Sequence, residues 1–507
     1  MSYYDLRLRV SPADSTVGGA NTIHWVASGS GRELQIDLAA ALVVDSITDG
    51  TARLPVRRVG DAVFATLVTE RAAGSRGSVT VHWLGRPRVA RNAPWDGGLV
   101  WAKDPAGKPW VATAVQGLGA SAFWPNKDHQ SDEPDSMRIR VTVPSSMVEV
   151  SNGRLAGKEV HANGTTTYDW RVANPINNYG VTINAGSYVH FGERYAGAAG
   201  PLDLDYWVLE AHLPEARRQF EQVKTTIRCF EDWFGPYPFY EDGFKLVESP
   251  YLGMEHQSAV AYGNGFRNGY LGTDLSGTGL GLGFDYIIVH EAAHEWFGNN
   301  ITTKDIADMW VHEGFGMYAE GLYVECTQGK DAGARYLAGV RKNIANDGPI
   351  IGTYGVNQEG SGDMYYKGAN VLHTIRQLAP DDAAWRTVMR GLGETFRHRT
   401  VTSAEIEKYM SDRVGRDLSR VFDQYLRRAA LPTLEYALAN GALNVRWRAD
   451  VPGFDLPIRV LVGPGRYVWV EPKTGTWTSV PTDLRSAAEF RVDPAFYVDV
   501  AEVAAAR

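Results

Sequence analysis

His290-Glu291-Ala292-Ala293-His294, then eighteen residues, then Glu313 in Trp310-Val311-His312-Glu313-Gly314-Phe315, is the stretch on which the reading of this chain turns. An α-helix advances about 100° per residue, so histidines four apart stand one turn apart with both imidazoles on one face, where they meet a single ion. Catalytic zinc takes three protein ligands and keeps a fourth position for water, and Glu313 on a second helix supplies the third ligand. Glu291, between the histidines, lies beside that water, where a carboxylate acts as general base.

The flanks support the two helices. Asp285-Tyr286-Ile287-Ile288-Val289 feeds an apolar run into the pentapeptide and Gly298-Asn299-Asn300 stops it, which predicts a short buried helix. A second helix is predicted from Asp308 to about Glu325, with Met309, Phe315, Met317 and Leu322 as its core and Gly329 beyond its end. Glu313 and Glu320 share a face of it, so Glu320 is a candidate hydrogen-bond partner for the free N–H of a ligand histidine.

Three other segments carry a resemblance. Tyr251-Leu252-Gly253-Met254-Glu255-His256 stands ahead of the histidines, Met364-Tyr365-Tyr366-Lys367-Gly368 follows them, and Val115-Gln116-Gly117 with Ala122-Phe123-Trp124-Pro125-Asn126-Lys127-Asp128 lies far upstream. Together with the histidine motif they resemble the gluzincin aminopeptidases of the M1 metallopeptidase type. The first is similar to that family's G-x-M-E-N element, which implies that Glu255 binds the free α-amine of the substrate, with Gly253 and Met254 in the same substrate-binding element. Leu252 replaces the usual first glycine and His256 the usual asparagine. The second is similar to P-Y-E-K-G, which implies that Tyr365 donates its hydroxyl to the oxyanion; Tyr366, in the place of the glutamate, competes for the role. The third implies Gln116 as a second amine-anchoring residue. Asp308, in Asp308-Met309-Trp310, matches a further acidic position that orients the helix or a ligand.

The resemblance implies one zinc ion per chain and peptide substrates with a free N-terminus. It also implies a multidomain α+β fold: a saddle-like N-terminal β-sheet domain, a thermolysin-like, mostly helical zinc catalytic domain and a small C-terminal β-sandwich, without the family's large C-terminal helical domain. Independently of any family, a carboxylate such as Glu255 in the same cleft pairs with a protonated amine and places the first peptide bond over the metal. Two other readings stand beside this one: a zincin endopeptidase, which keeps the zinc site but ignores a blocked amino terminus, and a catalytically silent binding scaffold.

The rest of the chain is consistent with such an enzyme. Its 507 residues are 44% hydrophobic, long enough for about three domains. Residues 3 to about 195 read as β, since Tyr4, Leu6, Leu8 and Val10 alternate with polar residues, as do the residues of Met137–Val143. Phe220, Val223, Ile227, Phe230 and Phe234 then recur at helical steps, Thr402-Ser403-Ala404-Glu405 reads as a capping box, and strands return from about 433. The expected domains are therefore 1–197, 198–432 and 433–507. The net charge of -8 argues against nucleic acid as a partner. The chain lacks the eighteen uninterrupted apolar residues of a membrane span. With the first strand beginning by residue 3, no leader is expected in the chain as given, which predicts a soluble protein, cytoplasmic or exported with its leader removed. Cys229 and Cys326 are expected to form no framework and have no metal spacing.

Overall fold

A computed structural model describes residues 1–439 and 441–504. The chain divides into two compact units, one of residues 1–272, 284–304 and 396–400, the other of residues 273–283, 305–395 and 401–507.

The first unit is mainly sheet. Its opening strand, Tyr3–Ser11, buries Tyr4, Leu6, Leu8 and Val10 on one face. It pairs parallel with Ser136–Pro144, Tyr3 opposite Ser136, and antiparallel with Thr16–Val26, Tyr3 opposite His24. These strands lie at the middle of an eight-stranded sheet, where alternation of buried and half-exposed residues is what a sheet with one packed face requires. A five-stranded sheet follows in the order Tyr188–Gly197, Gly200–Leu209, Phe244–Glu248, Val260–Tyr262, Gly253–Met254. Gly253 pairs antiparallel with Tyr262 and Met254 with Ala261, so residues 255–259 are the turn of a tight hairpin at the sheet's edge. The helices of this unit are α1 (Leu213–Gln219), α2 (Gln222–Phe234) and α3 (Tyr286–Ala293).

The second unit opens with α4 (Trp310–Gln328) and α5 (Lys330–Val340), continues through α6 (Tyr366–Arg376), α7 (Asp382–Thr395), α8 (Ser403–Val414) and α9 (Ser419–Arg427), and then turns to strands. Thr402 and Glu405 form the expected capping box at the start of α8. Thr478–Pro481, Ala442–Arg448, Thr433–Ala439 and Asp499–Glu502 make a four-stranded sheet in that order, and Ile458–Gly463 pairs with Arg466–Val470. The order of elements is the expected one: β, then helical, then β. One boundary moves. α4 begins at Trp310, because Ile306–Asp308 forms a 3-10 turn capped by the Asp305 side chain on Ala307 N. No described helix is long and apolar enough to cross a membrane. Neither cysteine is a free thiol, which their spacing in the sequence does not signal.

Candidate active site

The helix that carries the two histidines is buried along its whole length. Apolar residues at Ile287, Ile288 and Val289 account for that burial, and Asp285 starts the helix by accepting from Ile287 N and Ile288 N. The cap is itself held: Tyr262 Oη and Gln219 Nε2 each donate to the Asp285 carboxylate at 2.7 Å, and Asn264 Nδ2 at 2.8 Å. Burial pushes the Asp285 carboxyl above the usual range, and these three donors act against the shift.

The ligand atoms of His290, His294 and Glu313 all lie within 4.8 Å of one another, and all three residues are buried. Two nitrogens on one tetrahedral zinc stand about 3.3 Å apart; His290 Nε2 and His294 Nε2 stand 3.2 Å apart. His294 Nδ1 donates to Phe297 O at 2.9 Å, which leaves the Nε2 lone pair directed at its neighbour. The His290 ring stacks on Tyr286 with centroids 5.2 Å apart. Two imidazole nitrogens and a carboxylate oxygen at these separations fit zinc and leave a coordination position for water.

Glu291 stands on the same helix, and its carboxylate borders the backbone of the edge strand. A Cβ built on Gly253 would lie 2.7 Å from Glu291 Oε1 and 2.9 Å from Ile287 Cγ2, so the glycine lets the hairpin sit directly against the helix. The next turn of that hairpin presents Glu255, only 3% exposed. Gln116 Nε2 donates to Glu255 Oε1, although the two lie 139 positions apart in sequence. Gln116 is not in a strand: it follows Pro109–Ala114 in a turn closed by Gly119 N on Val115 O. Met254, which precedes Glu255 in the hairpin, is buried. His256 is fully buried, both ring nitrogens lack a hydrogen-bond partner, and burial pulls its pKa down to about 3, so the ring is neutral.

In the second unit, Glu313 lies in the first turn of α4 and Tyr365 caps α6. These two helices approach at a pair of glycines: Gly314 directly follows Glu313, and Gly368 lies three residues after Tyr365. A Cβ on Gly368 would lie 2.9 Å from Gly314 Cα, and one on Gly314 would lie 3.1 Å from Met364 O. Lys367, between Tyr366 and Gly368, buries its ammonium and donates to Arg428 O at 3.1 Å and Ala429 O at 2.7 Å; burial lowers its pKa to about 8. Tyr365 and Tyr366 have ring centroids 6.4 Å apart. Glu320 accepts from Tyr336 Oη at 2.6 Å. Asp308 accepts from Tyr354 Oη at 2.6 Å and from Ser403 N at 3.0 Å, and it also takes the Ser403 hydroxyl. Its carboxylate therefore ties the start of α4 to the start of α8.

The sequence profile of the peptidase family M1 domain matches residues 218–425. The chain carries an M1 peptidase domain. Among curated proteins, it is 19% identical over 339 residues to tricorn protease-interacting factor F2 of Thermoplasma acidophilum, covering 64% of this chain and 41% of that protein. It is 23% identical over 340 residues to leucine aminopeptidase 2 of Vanderwaltozyma polyspora, covering 65% and 48%. The chain thus spans less than half the length of these two curated relatives. Among solved structures, a two-domain M1 zinc metallopeptidase bound to L-tryptophan superposes with a TM-score of 0.72 at 22% identity, covering 85% of this chain and 95% of that one. An M1 zinc metallopeptidase of Deinococcus radiodurans bound to a Tyr-Ser-Ala substrate superposes with a TM-score of 0.71 at 22% identity, covering 85% of this chain and 94% of its own. At these identities the likeness is one of fold.

Two sets of residues escaped the sequence reading. One is the Tyr262, Gln219 and Asn264 cradle around Asp285; the other is Glu295 with Asn299, just past the second histidine. The available signal was a run of charged and amide residues inside a segment that is otherwise apolar and buried.

Proposed function

We propose that the chain is a zinc-dependent aminopeptidase that removes N-terminal residues from peptides. The observation that carries this reading is the Gln116–Glu255 pair, whose carboxylate stands on a hairpin packed directly against the helix of His290 and Glu291. A buried carboxylate there accepts a protonated amine, and a chain end so anchored presents its first peptide bond to the metal. Zinc, held by His290, His294 and Glu313, would polarise that carbonyl and bring the pKa of its water to about 7.

The chain's own groups do the rest. Glu291 takes a proton from the attacking water and passes it to the leaving amine. Tyr365 donates its phenol hydrogen to the carbonyl oxygen as negative charge develops there. Glu255 accepts from the substrate ammonium, with one of its oxygens oriented by Gln116, while Gly253 and Met254 carry the edge backbone along which the peptide's first residue lies. Glu320 and Asp308 hold α4, and with it Glu313, through Tyr336, Tyr354 and Ser403. The division into 1–197, 198–432 and 433–507 belongs to the same proposal, supported by the change from sheet to helix after Leu209 and back to sheet at Thr433. The relatives named as aminopeptidases, and solved neighbours bound to an amino acid or to a tripeptide, support peptides with a free N-terminus as substrates.

The test is a panel of chromogenic amino-acid anilides, each paired with its N-acetylated twin, offered to the zinc-loaded protein and to Glu291→Gln. Cleavage of free-amine forms alone, abolished by Glu291→Gln, is expected. Equal cleavage of both forms would establish an endopeptidase, and no cleavage by a zinc-loaded protein would leave a binding scaffold.

A further inference from the structure

The segment that bears Glu255 is held by more bonds than a surface turn needs, and they arrive from two sides. From the β-sheet side, Asn152 Nδ2 donates to Gln257 O at 2.7 Å, Gly153 N to Ser258 Oγ at 2.8 Å, and Gln257 Nε2 to Pro175 O at 2.9 Å. From the side of the histidine helix, Ser258 N donates to Glu295 Oε1 at 2.9 Å and Asn299 Nδ2 to Glu255 O at 2.8 Å. Asn299 Nδ2 also reaches Glu295 Oε1 at 3.3 Å, and Tyr237 Oη donates to Glu295 Oε2 at 2.7 Å. Glu295 directly follows His294, and Asn299 N donates to His294 O. Ser258 has a φ of 53°, a left-handed conformation rarely adopted by serine, and bonds to both its backbone N–H and its hydroxyl hold it there.

We infer that Glu295 and Asn299 are positioning residues which set the distance between the amine pocket and the histidine ligands, and with it the peptide bond that is cut. The inference rests on the aminopeptidase reading above. Glu255 supplies the charge, but a charge alone does not choose a bond: a displacement of about 1 Å at an anchoring group costs on the order of a hundredfold in rate. The bracket formed by Glu295 and Asn299 links the backbone of residues 255 and 258 to the residues directly after His294. The hairpin and the ligand helix therefore move as one body.

A glutamine at 295 preserves this arrangement. Its Oε1 accepts from Ser258 N and Asn299 Nδ2, and its Nε2 donates to Tyr237 Oη, whose own hydrogen turns to Gly243 O, 3.0 Å away. An alanine there leaves the buried Ser258 N–H without its acceptor and takes one acceptor each from Asn299 Nδ2 and Tyr237 Oη, which keep only Glu255 O and Gly243 O.

The experiment measures amine discrimination, the ratio of kcat/KM for an amino-acid anilide to that for its N-acetylated twin, in wild type, Glu295→Gln, Glu295→Ala and Asn299→Ala. Zinc per chain and the melting temperature are recorded for each. Calorimetric binding of the corresponding free amino acid, in the Glu291→Gln background, supplies a readout independent of turnover. Asn299→Ala and Glu295→Ala are expected to keep one zinc per chain while losing discrimination and amino-acid affinity by tenfold or more. Glu295→Gln should stay within twofold of wild type on both. Unchanged discrimination in the zinc-loaded alanine variants overturns the inference, as does a glutamine variant as impaired as the alanine. Should Glu295→Ala not fold, Asn299→Ala, which removes only the amide, decides by the same criterion. A wild type that cleaves both twins alike, or neither, overturns the aminopeptidase reading and this inference with it.

Discussion

The contact between Gly314 and Gly368 makes the steric demand at the site measurable. A methyl group at residue 368 would stand 2.9 Å from Gly314 Cα. Ordinary carbon contacts begin near about 3.5 Å, so Gly368→Ala must open the α4–α6 spacing by roughly 0.6 Å. The obstacle is backbone and not a rotatable side chain, so no change of rotamer relieves it. Overpacking of this kind costs about 1–3 kcal/mol of stability. The larger effect falls on rate, because Glu313 directly precedes Gly314 and Tyr365 lies three residues before Gly368, on the two helices that are forced apart. A misplacement approaching 1 Å lowers turnover on the order of tenfold to a hundredfold, and kcat should fall more than KM rises, since the amine pocket is untouched. The control is Gly362→Ala, three residues before Tyr365, where an added methyl meets nothing within 4 Å. Steady-state kinetics on the best anilide, with zinc content and thermal melts, decide the matter. Gly368→Ala with kcat within twofold of Gly362→Ala, both fully metallated, would refute the argument that glycine spacing positions these residues.

Glu255→Gln keeps the shape of the amine anchor and removes its charge; losing one buried charge-assisted pairing of about 2–4 kcal/mol should lower kcat/KM for free-amine substrates by one and a half to three orders of magnitude, and a loss under threefold would argue against an ammonium partner. Tyr365→Phe should reduce kcat about a hundredfold or more, and Tyr366→Phe by less than fivefold, measured on one anilide at saturating concentration; the reverse order would transfer the role to Tyr366. His256, neutral in its buried site with a pKa of about 3 against about 6.5 in the unfolded chain, favours the native state above pH 6.5, and that stability is lost as the pH falls toward 3. Between pH 7.5 and 5.0 the loss is about 2 kcal/mol, so His256→Leu should show an acid-induced drop in unfolding free energy, measured by urea titration, smaller by that amount, and an identical drop in both proteins would show that the ring protonates freely.

What the sequence by itself determined is whatever local periodicity controls. The His290–His294 spacing places two imidazoles on one helical face, the alternation from Tyr4 to Val10 specifies a strand with one buried side, and Thr402 with Glu405 sets a helix start. These depend on backbone geometry over a few residues, which short stretches of chain encode. The start of α4 was misplaced by two residues because a 3-10 turn carries almost the same residue preferences as a helix. Only the tertiary structure decided the rest. Gln116 meets Glu255 across 139 positions because a turn after Pro109–Ala114 and an edge hairpin come together. Asp308 turns out to bind Tyr354 and Ser403, and Glu295 and Asn299 turn out to bond the hairpin that bears Glu255, although nothing in their spacing announces these partners. Such pairings arise from packing of distant segments, where buried polar groups take whichever partners the fold brings within reach, and a one-dimensional pattern does not contain those distances.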